Sequence, residues 1–274
     1  MSTGDDVEIA LDAAQVHAAA GVGRVVAAGE RAGGLIGRRV LVGPIDPCGE
    51  CDVCRRGGAP VCPLARRRGP LGDRVVAAAR WLVPLDDGLD LPLPAAAAVA
   101  GDVATAYTLY ARTGVAPREP VVVVGATAIG RFLIEILLAK GIAPVAVAVA
   151  GPWADWLRDK AVAAAADRPA LAAVFADQGI ATRPWRVICA DPEATAAAAE
   201  LAGPRATLTV LAGAAPRPLP GDLLAREVGI VAVAGPHPDL VVEVAAMCVK
   251  REIDLVTGTS VTPDPLRTHI RTVP

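Results

Sequence analysis

Charge of neither sign dominates this chain: 27 Lys and Arg stand against 29 Asp and Glu, a formal net charge of −2. Without a basic footprint there is little to hold a polyanion, and the one basic run, Arg66-Arg67-Arg68, is too short to supply it. That run reads as a solvated loop edge, and no nucleic-acid partner is expected. Long apolar runs are missing as well. The Ala-rich stretch 161–166 is broken by Asp, Arg and Pro within a few residues, and the opening M-S-T-G-D-D-V-E is acidic where a leader would be basic and then apolar. Neither a membrane span nor a signal peptide is expected, and the default compartment is cytoplasmic. Cysteine is sparse outside one loop. Of six, only Cys189 and Cys248 stand alone, each in apolar surroundings that suit a small buried hydrophobe better than a nucleophile.

Apolar bulk is plentiful, at 53% of 274 residues, enough for one large core or two moderate ones, so disordered and fibrous readings fail. The first third holds short β-prone runs at 7–11, 24–28, 39–42, 75–79 and 81–84, separated by Gly, Pro and Asp. That is the texture of an antiparallel, loop-rich β domain. From about residue 95, wholly apolar strands alternate with helices, the sign of a parallel sheet covered on both faces. The pattern predicts strands at 121–124, 145–149, 187–190, 207–211, 230–234 and 253–257. Helices are predicted at 131–140, 153–166, 192–201 and 240–250, with a shorter one at 220–226. The expected fold is therefore α/β: a doubly wound, parallel, six-stranded Rossmann-like sheet in 101–274, behind a smaller β domain in 1–100.

Residues 48–63 read C-G-E-C-D-V-C-R-R-G-G-A-P-V-C-P, with Cys48, Cys51, Cys54 and Cys62 spaced C-x2-C-x2-C-x7-C. Thiolates two residues apart converge on one ion from a tight turn, and four close a tetrahedral zinc site with no open position. The alternative, an iron–sulfur cluster, fits poorly because the last interval is too long and no second cysteine group exists. Further along, V-G-A-T-A-I-G follows a buried strand and opens a helix, with Gly125, Thr127 and Gly130 in the three positions of the dinucleotide fingerprint G-x-G-x-x-G. The middle residue departs from it. Thr127 adds bulk where the backbone approaches a diphosphate, although its hydroxyl could donate to a phosphate. The second strand lacks the acidic residue that holds ribose hydroxyls; Asp155 comes only inside the next helix. Arg158, which could meet a 2′-phosphate, reads as a surface arginine.

These blocks, with R-V-V-A-A-G (24–29), V-V-A-A-A-R-W-L-V-P-L-D-D-G-L (75–89), A-G-D-V-A-T-A-Y (100–107) and K-R-E-I-D-L-V-T-G-T (250–259), make most of the chain resemble the zinc-containing medium-chain dehydrogenase/reductases, the alcohol dehydrogenases among them. The resemblance implies a GroES-like β domain carrying one structural zinc in a lobe at 45–65, held by the four cysteines, and then a nucleotide-binding domain for NAD or NADP. It also implies departures. The segment that carries the family's catalytic Cys has no counterpart, Ala19-Ala20 stand where a His-Glu pair belongs, and His17 fits only after a two-residue slip. Asp102 falls at the third ligand position and reads as the N-cap of a helix starting near Val103. The chain stops at D-P-L-R-T-H-I-R-T-V-P, short of the family's last returning strands, and His269 in that tail is not expected to be catalytic. The resemblance thus implies a divergent relative without the catalytic zinc. The leading expectation is a zinc-independent NAD(P)H-linked oxidoreductase acting on a small molecule. The alternatives are a redox-neutral enzyme using Asp102 as acid or base, or a silent scaffold subunit. A homodimer or partner subunit is expected, with 253–257 as the sheet edge.

Overall fold

The structure is a computed structural model that describes residues 4–16, 19–85, 89–116, 119–147, 151–177, 179, 186–212, 220–250, 252–253, 255, 257–258 and 268–273. The chain forms two compact units, 1–105 with 235–274, and 106–234. The sequence pattern suggests the continuous segments 1–100 and 101–274, and the described residues from 235 onward group with the first unit.

The first unit is built on β1 (Asp6–Gln15), whose alternating burial carries Val7, Ile9 and Leu11 into a core with Val25, Val40, Val42, Ala77 and Leu82. One edge of β1 pairs antiparallel with β2 (Gly21–Ala28), which pairs in turn with β3 (Arg39–Val42). Gly23 is obligatory there: a Cβ would stand 2.2 Å from the Ala10 carbonyl oxygen, beside an irregularity in the register. Next come β4 (Ile45–Asp46), α1 (Asp52–Arg55), β5 (Arg66–Arg67), β6 (Arg74–Ala78) and β7 (Val83–Pro84). β4 pairs with β5 as a separate ribbon, β6 pairs with residues 6–10 of β1, and β7 pairs with β3.

A long helix follows in three pieces: α2 (Leu93–Ala98), a π-helical turn at Val99–Val103, and α3 (Ala104–Thr113). The wider turn interrupts the regular ladder of backbone bonds. Gln15 answers it: its buried amide donates to the carbonyls of Ala97, at 3.0 Å, and Ala98, at 3.2 Å.

In the second unit, β8 (Val121–Val124), α4 (Ala128–Ala139), β9 (Pro144–Val147), α5 (Pro152–Asp159), β10 (Ala163–Ala165), α6 (Arg168–Asp177), β11 (Arg186–Cys189), α7 (Thr195–Leu201), β12 (Thr207–Leu211) and β13 (Gly229–Val233) alternate. The six strands form one parallel sheet in the order β10-β9-β8-β11-β12-β13, the doubly wound arrangement that the apolar strands foretold. Val122, Val124, Val145, Phe175, Val187, Leu208 and Val210 form its core. Its edge strand is a correction. The sixth member is β10, a run of three alanines expected inside a helix over 153–166. That helix stops early because Ala161 takes φ +54°, with Val162 donating to the Leu157 carbonyl and Ala161 to that of Arg158. This is the hydrogen-bond pattern of a Schellman stop, and a non-glycine residue there pays about 1–2 kcal/mol for the left-handed conformation. Ala161→Gly should therefore raise stability by roughly 0.5–1 kcal/mol in chemical denaturation, after the entropy cost of glycine.

The chain closes with α8 (Val241–Val249), β14 (Thr257–Gly258) and β15 (Thr268–Thr272). The tail expected to fall short in fact returns to the β unit: β15 pairs antiparallel with residues 13–15 of β1, and β14 pairs with β15. Of the predicted strand 253–257, Ile253 is buried but Thr257 belongs to this sheet, and residues 254 and 256 lie outside the described ones. No described helix is long and apolar enough to cross a membrane.

Candidate functional site

The four cysteines converge at one point. Their Sγ atoms all lie within 4.8 Å of one another, with Cys48–Cys62 at 3.6 Å, Cys51–Cys62 at 3.8 Å and Cys48–Cys54 at 3.9 Å. A zinc ion with Zn–S bonds of about 2.3 Å in a tetrahedron sets its sulfurs about 3.8 Å apart, so the cluster fits that ion with little adjustment. Among the described residues no other group of three or more His, Cys, Asp or Glu converges in this way. Local backbone makes the convergence possible: Gly49 and Gly57 adopt φ +78° and +79°, and Cys51 caps the one-turn helix α1. Amides point at the sulfurs, Cys51 N–H to Cys48 Sγ at 3.4 Å and Cys48 N–H to Cys62 Sγ at 3.5 Å. The Glu50 and Cys51 amides pull the Cys48 thiol down to about 6, whereas loss of solvent, reinforced by the neighbouring thiols, pushes Cys54 up to about 12. A divalent cation at the centre would favour the thiolate form of all four.

The base of this loop is clamped. Asp46, just before the first cysteine, is buried and accepts from the Ala78 amide at 3.0 Å, while pairing with Arg66 at 3.0 Å and with Arg68. Arg66 also reaches Asp6 of β1 at 2.8 Å. The basic run read as a solvated edge is thus partly structural: the Arg68 side chain is only 6% exposed, whereas Arg66 and Arg67 remain exposed. Trp81 adds a third anchor, donating Nε1–H to the Pro47 carbonyl at 2.6 Å.

The second constellation sits where the order of the parallel sheet reverses, between β8 and β11, the place where open α/β sheets bind ligands. Gly125 leaves β8 with φ +121°, a conformation suited to glycine, and a Cβ there would stand 2.8 Å from Asp191 Cβ. A Cβ on Gly130 would stand 2.1 Å from the Gly125 carbonyl oxygen, so both outer glycines of the fingerprint are sterically required. Thr127 is the N-cap of α4. Its hydroxyl accepts from the Gly130 amide at 3.1 Å and donates to the Ala190 carbonyl at 3.3 Å. Asp191, at the end of β11, turns its carboxylate to the Glu193 amide at 2.9 Å. Residues 148–150, after β9, lie outside the described residues, and Arg158 pairs with Asp155 at 3.0 Å on the exposed side of α5.

Asp102 is not an N-cap. It lies within the π-turn of a continuous helix and accepts a 2.6 Å hydrogen bond from Thr268 of β15. Thr268, Gln15, Asp46 and Asp191 carry no recognisable motif, so only the fold reveals their positions. Ala20 is fully buried at the approach to β2, and His17 lies outside the described residues. His269 takes part in β15 through its carbonyl, which accepts from Val16. Cys189 and Cys248 are buried, and desolvation raises their thiols to about 11 and about 12.

Residues 5–87 match the model of the alcohol dehydrogenase GroES-like domain. No curated protein matches the chain. Among solved structures, D-arabinose dehydrogenase from Sulfolobus solfataricus is similar with a TM-score of 0.77 at 19% identity, over 99% of this chain and 94% of that one. Alcohol dehydrogenase TADH from Thermus sp. ATN1 gives 0.79 at 18% identity, covering 92% of this chain and 84% of its own. A short chain alcohol dehydrogenase from E. coli CFT073, complexed with NADH, gives 0.78 at 18%, covering 93% and 83%. The chain is therefore alcohol dehydrogenase-like in fold, with a GroES-like N-terminal domain.

Proposed function

Starting from that alcohol dehydrogenase-like fold, we propose that the protein is an NAD(P)H-linked oxidoreductase acting on a small molecule in the cytoplasm. In this reading it keeps one structural zinc on Cys48, Cys51, Cys54 and Cys62 and works without a catalytic zinc. The observation that carries the cofactor reading is the turn at the switch point: Gly125 and Gly130 are held where the chain's own atoms leave no room for a side chain, the tight strand-to-helix turn that offers a helix N-terminus to a dinucleotide diphosphate. The NADH complex of one structural neighbour is consistent with it. Without a Lewis acid, polarisation of a carbonyl falls to hydrogen-bond donors, which favours activated substrates over simple alcohols. Titration of the full chain with NADH and NADPH, followed by the nicotinamide fluorescence, tests this; absence of binding of either at millimolar concentration overturns it.

A second reading is a redox-neutral enzyme, in which Asp102, oriented by the Thr268 hydroxyl at 2.6 Å, serves as acid or base. It predicts turnover without dinucleotide that is lost in Asp102→Asn.

A homodimer is the assembly this reading expects, with β13 as the sheet edge among the described residues. β13 ends the sheet order, and Ile230 on it is 44% exposed. An uncovered apolar edge strand invites pairing with a second copy. Light scattering should find a dimer, and Ile230→Lys should shift it to monomer with little change in fold.

A further inference from the structure

The hydroxyl of Thr127 spans the switch point. It occupies the Gly130 amide, one of the first-turn donors that a helix offers to an anion, and is tied on its other side to Ala190 at the end of β11. The backbone of Asp191 packs against Gly125 on the same side, with its amide 2.9 Å from a Cβ position on that glycine. We infer that Thr127 is a built-in attenuator of dinucleotide affinity: a diphosphate reaches the turn only after the hydroxyl releases Gly130 and Ala190. The inference rests on the cofactor reading above.

The competing account is that Thr127 only caps α4, and the two accounts differ in sign. A purely structural cap predicts that its removal lowers thermal stability and leaves dinucleotide affinity unchanged or weaker. The attenuator predicts that stability falls while affinity rises. The test uses the full, zinc-loaded chain with Thr127→Ala, Thr127→Gly and Thr127→Ser, reading Tm by calorimetry and NADH and NADPH binding by fluorescence. The Ser variant keeps the hydroxyl and should match the parent in both. The Ala and Gly variants should bind NADH or NADPH roughly tenfold more tightly, the effect expected when one donor is freed for a charged acceptor. The Ala variant should melt at a lower temperature because the cap is lost. Equal affinity across all four proteins overturns the inference and leaves the cofactor reading standing. Failure of every variant to bind either dinucleotide overturns both.

Discussion

Replacing Cys54 with Ala abolishes stoichiometric zinc and opens the loop between Asp46 and Arg66, while the core of the β unit stays folded. Three thiolates leave a tetrahedral ion with a solvent position, and beyond the clamp at its base the loop has little to hold its tip: α1 is one turn long, and none of its residues is buried. In metal-nucleated loops of this kind, binding free energy is folding free energy, about 10–16 kcal/mol for isolated zinc modules at neutral pH. The remainder of the unit has its own support in Val7, Ile9, Leu11, Val25 and Val40. Hydrogen exchange should therefore show protection lost across 47–65 and retained in β1, β2 and β3, with zinc by mass spectrometry falling from one per chain toward zero. Protection lost equally everywhere would mean that the loop is integral to the β core. Acid should act in the same direction, because protons compete for thiolates. Zinc should dissociate as pH falls, since ligation needs all four sulfurs deprotonated, including Cys54, whose metal-free thiol stands near 12.

Asp46→Ala is expected to cost about 3–5 kcal/mol, among the largest single-residue effects in the chain. Removing one member of a buried ionic group strands the other, and here the stranded charge is Arg68, whose side chain is 6% exposed. The backbone amide of Ala78 loses its acceptor as well, adding a desolvated donor to the penalty. Arg66 contributes less because its side chain is 45% exposed and solvent screens it. Accordingly Arg66→Met should cost about 1 kcal/mol or less, and the combination of Asp46→Ala with Arg68→Met should recover part of the loss. Urea denaturation of the zinc-loaded chain measures all three. A loss for Asp46→Ala no larger than for Arg66→Met would show that the clamp is not buried in solution.

What the sequence made legible followed from strong local rules. Four cysteines at fixed spacing imply convergence whatever surrounds them, and Val121–Val124 reads as a buried strand because no polar residue interrupts it. The doubly wound order followed from alternation of such strands with helices. The failures came where local preference and tertiary context disagree. Ala163–Ala165 has the composition of a helix, but the reversal at Ala161 delivers it to the sheet edge, and only pairing with β9 makes it a strand. The tail residues Thr268–Thr272 have no partner nearer in sequence than β14, so their addition to β1 is invisible without the fold. Asp102 reads as the cap of a helix starting near Val103, whereas the helix runs through it with a π-turn. Thr127 lies at the strand-to-helix turn, as its place after a buried strand suggests, yet which partner its hydroxyl takes depends on Ala190, sixty-three residues away.

In the proposed reading the metal of this protein is a staple, and no second zinc performs the chemistry. The most direct measurement is the zinc content of the purified, full-length wild-type chain after dialysis against a mild chelator. The account predicts one zinc per chain, bound by the four cysteines; two tightly held zinc ions per chain would contradict it.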